Sequence, residues 1–271
     1  MQGRIPFILA FLLLISSCAM ISTYDTQRQP EDMIILDRTS VSFQIEKAVY
    51  AADRRTYYIW EANSQFIHII RAGRRINKIG GMGFDKSNFN RLSDICIGAD
   101  GNLYTLDSFS KTVKKFDHNG QWLREYTLDS LQEPILMDIG RNELFYIFDN
   151  IQREIVVLDI EHEEEQFRFG KFQLSRPKQL TNTRNYLLIW DTEDNSTMVY
   201  DTFGQLLQQK EGFFQIERGN FFQLDSHKIS LEGSDKTFLA TPKRYHTFLI
   251  KNSVGVLTTE NEIIVFGISY E

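Results

Sequence analysis

The 271 residues hold few side chains suited to covalent or acid–base chemistry, and these are scattered. The five histidines are His68, His118, His162, His227 and His246. Their spacing puts no two on one face of a strand or helix, as a metal-binding pair requires. His118 falls in a turn and His162 among glutamates, which suits surface positions. The two cysteines are Cys18, just after an apolar N-terminal run, and Cys96, which reads as a small buried hydrophobe in Ile95-Cys96-Ile97. A Gly-x-Ser-x-Gly elbow, a phosphate loop and a Cys-x-x-Cys pair are all absent. Gly80-Gly81-Met82-Gly83 has no Lys-Ser/Thr or helix start behind it, so it reads as a link between units. What does recur is a carboxylate. Glu61, Asp107, Asp149, Asp191 and Asp225 close the runs YYIWE, LYTLD, FYIFD, LLIWD and FFQLD, at steps of 46, 42, 42 and 34 residues.

An acid followed by Ser, Asn or Thr can fold back onto nearby backbone amides and set the turn after its strand. Asp107, Asp149, Asp191 and Asp225 are therefore expected to be structural, turn-setting groups. The residues specify no inward-facing set of acids, and call for no catalytic group, metal or cofactor. The formal net charge of -6 argues against a nucleic-acid partner, which requires a basic footprint to displace counterions from phosphates. Two local clusters are candidate interaction surfaces: basic Arg71, Arg74, Arg75 and Lys78, and acidic Glu163, Glu164 and Glu165 beside Glu161. Solvated hairpin tips are the alternative for both.

The elements that carry these residues are strands. Leu103 to Gly120, LYTLDSFSKTVKKFDHNG, alternates apolar and polar residues, breaks after Asp107 and turns at Asn119-Gly120. The pattern recurs down the chain. A sixth unit is expected at Glu262 to Gly267, where Gly stands for the anchor acid. Six units of about forty residues predict an all-β fold, a six-bladed β-propeller of four-stranded antiparallel blades. The last unit supplies only Val254 to Phe266, read as two strands. Met33-Ile34-Ile35-Leu36 with Val41-Ser42-Phe43 is expected to pair with it and close the ring, removing a free edge.

The second unit resembles the NHL-type propeller repeat. It carries Asp100-Gly101, Tyr104, Asp107-Ser108, Lys111, Val113, Phe116-Asp117 and Gly120. The likeness extends over about residues 55 to 210 and implies a rigid disc that binds through its loops. At the N-terminus, Arg4 precedes an apolar run, Ile5 to Ile15, too short to span a bilayer comfortably, and Ile15-Ser16-Ser17-Cys18 resembles the bacterial lipobox. That resemblance implies a lipid on Cys18 and a cell-envelope location, with Ala19 after the cysteine suggesting the outer membrane. The expected organisation is a lipoprotein signal peptide at 1–17, a tether at 18–32 and a propeller at 33–271. Expected partners are envelope proteins or peptides, and the membrane through its anchor. The alternatives are a metal-dependent propeller hydrolase or lyase and a carbohydrate-binding lipoprotein.

Overall fold

The computed structural model describes residues 28–271 apart from 84, 141–142, 226 and 241–243. Cys18 and the N-terminal residues read above as a lipobox and signal peptide lie outside the described residues. Among the described residues, twenty-four strands form six four-stranded antiparallel sheets, the propeller the repeat predicts. After β1 (Pro30–Ser40), blade 1 is β2 (Ile45–Ala51), β3 (Thr56–Glu61), β4 (Phe66–Arg71) and β5 (Arg74–Gly80). Blade 2 is β6 (Leu92–Ile97), β7 (Leu103–Asp107), β8 (Thr112–Phe116) and β9 (Trp122–Thr127). Blade 3 is β10 (Pro134–Ile139), β11 (Phe145–Asp149), β12 (Glu154–Asp159) and β13 (Glu164–Phe169). Blade 4 is β14 (Pro177–Asn182), β15 (Tyr186–Asp191), β16 (Ser196–Asp201) and β17 (Leu206–Glu211). Blade 5 is β18 (Phe213–Glu217), β19 (Asn220–Asp225), β20 (Lys228–Leu231) and β21 (Thr237–Ala240), and blade 6 holds β22 (Thr247–Lys251), β23 (Val254–Thr258) and β24 (Glu262–Tyr270). Among the described residues no helix is long and apolar enough to cross a membrane.

Each blade is sandwiched between two others, so both faces of its inner strands are covered and those strands read as near-continuous apolar runs. Every residue of β7 and β11 is buried, whereas β17, an outer strand, is almost wholly exposed. The apolar clusters lie between blades. Tyr146, Phe148 and Ile155 of blade 3 meet Leu180, Leu187 and Tyr200 of blade 4, and Ile45, Tyr57 and Ile59 of blade 1 meet Val256, Ile263 and Val265 of blade 6. Two glycines are required by close approaches, one between blades and one within blade 6. Gly120 turns at φ +84° with Ile69 of the neighbouring blade 2.6 Å from where a Cβ would sit, and a Cβ on Gly255 would lie 1.9 Å from the Phe266 ring.

Ring closure uses the N-terminal strand as expected. β1 pairs antiparallel with β24, from Pro30 opposite Tyr270 to Ser40 opposite Glu262, and becomes the outer strand of blade 6. Three details differ from the sequence expectation. Blade 6 draws three strands from the C-terminus, and β23, not β24, is its second strand, so Thr258-Thr259 occupies the place of the anchor acid and Gly267 does not. Val41 to Phe43 form no strand; they cross from the rim to the axis, and Phe43 stacks on His68 at 4.1 Å. The first strand starts at Pro30, inside the stretch expected to be tether.

Candidate functional site

The anchor acids lie where second strands end. Asp107 Oδ1 accepts the amides of Arg91, Phe109 and Ser110 at 3.2, 3.1 and 2.9 Å, and Oδ2 that of Asn90 at 2.6 Å. Asp149 repeats the cage with Gln132, Glu133, Ile151 and Gln152 at 2.5 to 3.3 Å, and Asp191 with Ser175, Arg176 and Glu193 at 2.6 to 3.1 Å. All three are buried. Each thus holds its own turn and also the segment arriving from the preceding blade. The carboxylates are filled by backbone donors, so these acids stitch blades together. Asp225 is exposed, and its carbonyl receives the His227 amide. In blade 1 Glu61 contacts His68 Nε2 at 2.9 Å, while Gln65 Oε1 accepts the Leu92 amide at 2.5 Å.

The innermost strands β2, β6, β10, β14, β18 and β22 surround the axis and carry polar groups that cross it. Lys47 Nζ donates to Asp94 Oδ1 at 2.5 Å, and Asp94 Oδ2 accepts the Met137 amide at 2.8 Å, joining blades 1, 2 and 3. Lys251 Nζ reaches Asp138 Oδ2 and Oδ1 at 2.6 and 2.7 Å. Blades 3 and 6 stand opposite each other in the ring, so this pair bridges the channel, and Asp138 Oδ2 also accepts the Asn182 amide at 2.6 Å. Gln179 Nε2 donates to Phe248 O at 2.7 Å. Burial alone would push the Lys47 ammonium down, but the Asp94 carboxylate outweighs it and holds the ammonium above the ordinary lysine value. Burial also pushes the Cys96 thiol well above its ordinary value, so it stays a thiol at neutral pH.

Above the Lys251–Asp138 bridge the channel widens into a funnel of about 1260 Å³, open on the face opposite the anchor acids. Its rim is built by the turns that leave the innermost strands: Asp53, Asp100, Arg184, Asn185, Arg218 and Ser253 all line it. No histidine lines the funnel, and the described residues hold no cluster of three or more metal-ligating side chains. Chemically, the lining offers cationic and amide donors, carboxylates and an apolar wall, and Ser253 Oγ donates to Glu217 Oε1 at 3.3 Å.

The two surface clusters lie on outer hairpins, and the acidic one is linked to the funnel rim by Lys115, which sits 3.0 Å from Asp100 and 3.9 Å from Glu161. In the basic one Arg71 is structural, donating to Thr56 Oγ1 at 2.9 Å and to His118 O at 2.9 Å in the next blade. Lys78 sits 3.5 Å from the Phe66 ring centroid, and Arg74 and Arg75 are exposed on the outer hairpin of blade 1. In the acidic one Glu163 and Glu164 are exposed, Glu165 pairs with Arg168 at 2.6 Å, and Glu161 pairs with Arg124 at 2.8 Å. The clusters are on blades 1 and 3 and the structure does not bring them together. The axial groups Lys47, Asp94, Asp138, Asn182 and Lys251 were not legible as a set. Their one sequence signal is a charge or amide inside an otherwise apolar first-strand run, as in LSDICI, PILMDI and TFLIK.

A family model described as a 6-bladed beta-propeller matches residues 34–185. No curated protein matches the chain by sequence. Among solved structures, virginiamycin B lyase from Staphylococcus aureus is similar over 82% of this chain and 80% of its own, with a TM-score of 0.57 and 15% identity. A gluconolactonase from Xanthomonas campestris is similar over 90% and 97%, with a TM-score of 0.61 and 11% identity. The Neurospora crassa Pan2 WD40 domain is similar over 90% and 97%, with a TM-score of 0.59 and 9% identity. At such identities these likenesses speak to the fold alone.

Proposed function

Since the chain belongs to the DUF5128 family of 6-bladed β-propellers, we propose that it is a lipid-anchored binding module of a bacterial cell envelope whose ligand enters the axial funnel. The observation that carries the binding role is the state of the two channel carboxylates. Asp94 and Asp138 are each held by a lysine ammonium and a backbone amide, and are thereby committed to closing the funnel floor. A disc of this kind offers variable loops on a rigid frame, which suits recognition. We read the repeat as NHL-like on Tyr104, Asp107, Phe116-Asp117 and Gly120.

Ile15-Ser16-Ser17-Cys18 supports the anchor. Acyl chains contribute about 0.8 kcal/mol per buried methylene, and two or more make attachment stable. The disc would hang from the tether at β1, the outer strand of blade 6. Replacing Cys18 by serine is expected to move the protein from the membrane pellet to the soluble fraction in its host. Unchanged retention in the pellet after carbonate washing contradicts the anchor.

A further inference from the structure

The polar groups of the funnel are not evenly disposed. Asn182 is buried at 5% exposure, its backbone amide is used by Asp138, and its side-chain Nδ2 has no hydrogen-bond partner although it belongs to the funnel wall. A buried donor without an acceptor is costly, of order 1–3 kcal/mol, and signals an acceptor that is supplied by something else. Lys251, across the channel, is 37% exposed at its side chain and keeps donor capacity beyond its contacts with Asp138. On the rim of the same half, Arg184 is exposed and has no ion-pair partner among the described residues, and Arg218 stacks on Tyr270.

The rim acids, by contrast, are already engaged. Asp100 accepts from Lys115 at 3.0 Å and from the Asn102 amide, Asp53 contacts Arg54 at 3.4 Å, and Glu217 accepts the Ser253 amide at 3.0 Å. Among the described residues lining the funnel on blades 4 to 6, Asn182 Nδ2 is thus a buried donor without a partner and Arg184 an exposed cation without an ion pair, while Arg218 lies 3.9 Å from Glu217; the unpartnered acceptors Gln179 Oε1 and Gln215 Oε1 on the same inner strands are not part of the lining. Apolar residues also line the funnel, Val49 and Ile97 on blades 1 and 2 and Leu249 on blade 6. Planar guanidinium groups and a single amide donor match the two coplanar oxygens of a carboxylate.

Building on the binding role above, we propose that the funnel takes a carboxylate carried on an apolar body, the carboxylate meeting Asn182, Lys251 and Arg184 and the body lying against Val49, Ile97 and Leu249. Such a group is found at a peptide C-terminus and on a simple organic acid, and the test separates the two. The full chain in detergent is titrated calorimetrically with N-acetyl-valyl-leucine, its C-terminal amide, octanoate and inorganic phosphate. The acid is expected to bind at least ten-fold more tightly than its amide. Arg184→Ala and Asn182→Leu are expected to weaken the acid by about ten-fold, with melting curves showing both variants folded. Octanoate binding as tightly as the peptide acid assigns the site to organic acids in general; weaker octanoate binding assigns it to a peptide C-terminus. Equal binding of acid and amide, phosphate binding as tight as the acid's, or no binding of any acid at millimolar concentration overturns the proposal. A photoreactive residue at Asn185 that still labels a partner in membranes would then leave the funnel as the ligand face with a different chemistry.

Discussion

Asp149→Ala is expected to destabilise the fold by about 4 kcal/mol, lowering the melting temperature by roughly 10 °C. The carboxylate is fully buried and accepts four backbone amides, those of Gln132, Glu133, Ile151 and Gln152. Alanine leaves these donors in a site too enclosed to rehydrate freely, and a hydrogen bond to a charged acceptor contributes about 1.5–3 kcal/mol. Two blades loosen together, because two of the amides belong to the link from blade 2 and two to the turn of blade 3. Asp149→Asn keeps one oxygen of the pair and should recover about half the loss. Asp225→Ala, at an exposed member of the same sequence series, should stay within about 0.5 kcal/mol of the parent. Urea denaturation of the three variants checks this ordering. Equal effects at 149 and 225 would show that the cage does not hold the blades.

The second large effect is expected at the axis. Lys47→Met leaves the Asp94 carboxylate with 2% side-chain exposure and no counter-charge, a change expected to destabilise by about 3–5 kcal/mol. Combining Lys47→Met with Asp94→Asn removes the stranded charge and keeps an acceptor for the Met137 amide, so most of that loss should return. The pH dependence has a definite sign. Because the ammonium is held above its ordinary value in the fold, its stabilisation is complete below the unfolded lysine value and is lost as pH rises through the raised folded one. Burial pushes Tyr200 and Tyr245 up to about 12, so they act in the same direction between their unfolded value and that pH. Stability of the parent therefore falls between pH 9 and 12, and the double variant, which lacks the lysine contribution, falls less steeply. Identical slopes would show that the pair does not stabilise the ring.

The legible part of the molecule is the part fixed by local repetition. A short apolar run ending in Asp, then a turn and a second run, specifies a hairpin wherever it occurs, so Asp107, Asp149 and Asp191 mark their blades in the sequence itself. Closure by the N-terminal strand followed from counting strands. The sequence pattern places blade 6 one strand off because its second strand ends in Thr258-Thr259, with no acid to mark it, and Glu262 to Phe266 is a stronger apolar run. The start of β1 is not legible because Pro30 and Glu31 have linker character until Tyr270 lies opposite Pro30.

The funnel is illegible for a different reason. Alternation along a strand says which residues share a face but not whether that face meets solvent or an axis. Lys251 and Asp138 are 113 residues apart, on strands that never pair, and only closing the ring sets them against each other. Asn182 likewise looks like the end of an ordinary strand. Its unpartnered side-chain amide is a property of the assembled channel, in which two carboxylates and two lysines close the floor and Asn182 Nδ2 is buried without a partner in the wall.

The most direct measurement of the ligand face is site-specific photo-crosslinking in intact membranes. A benzophenone amino acid is placed at Asn185 on the funnel rim and, separately, at Phe109, which is 71% exposed on the face that carries the anchor acids. A light-dependent adduct from position 185 and none from position 109 is the predicted result. Adducts from position 109 alone would put the ligand on the other side of the disc and contradict the account.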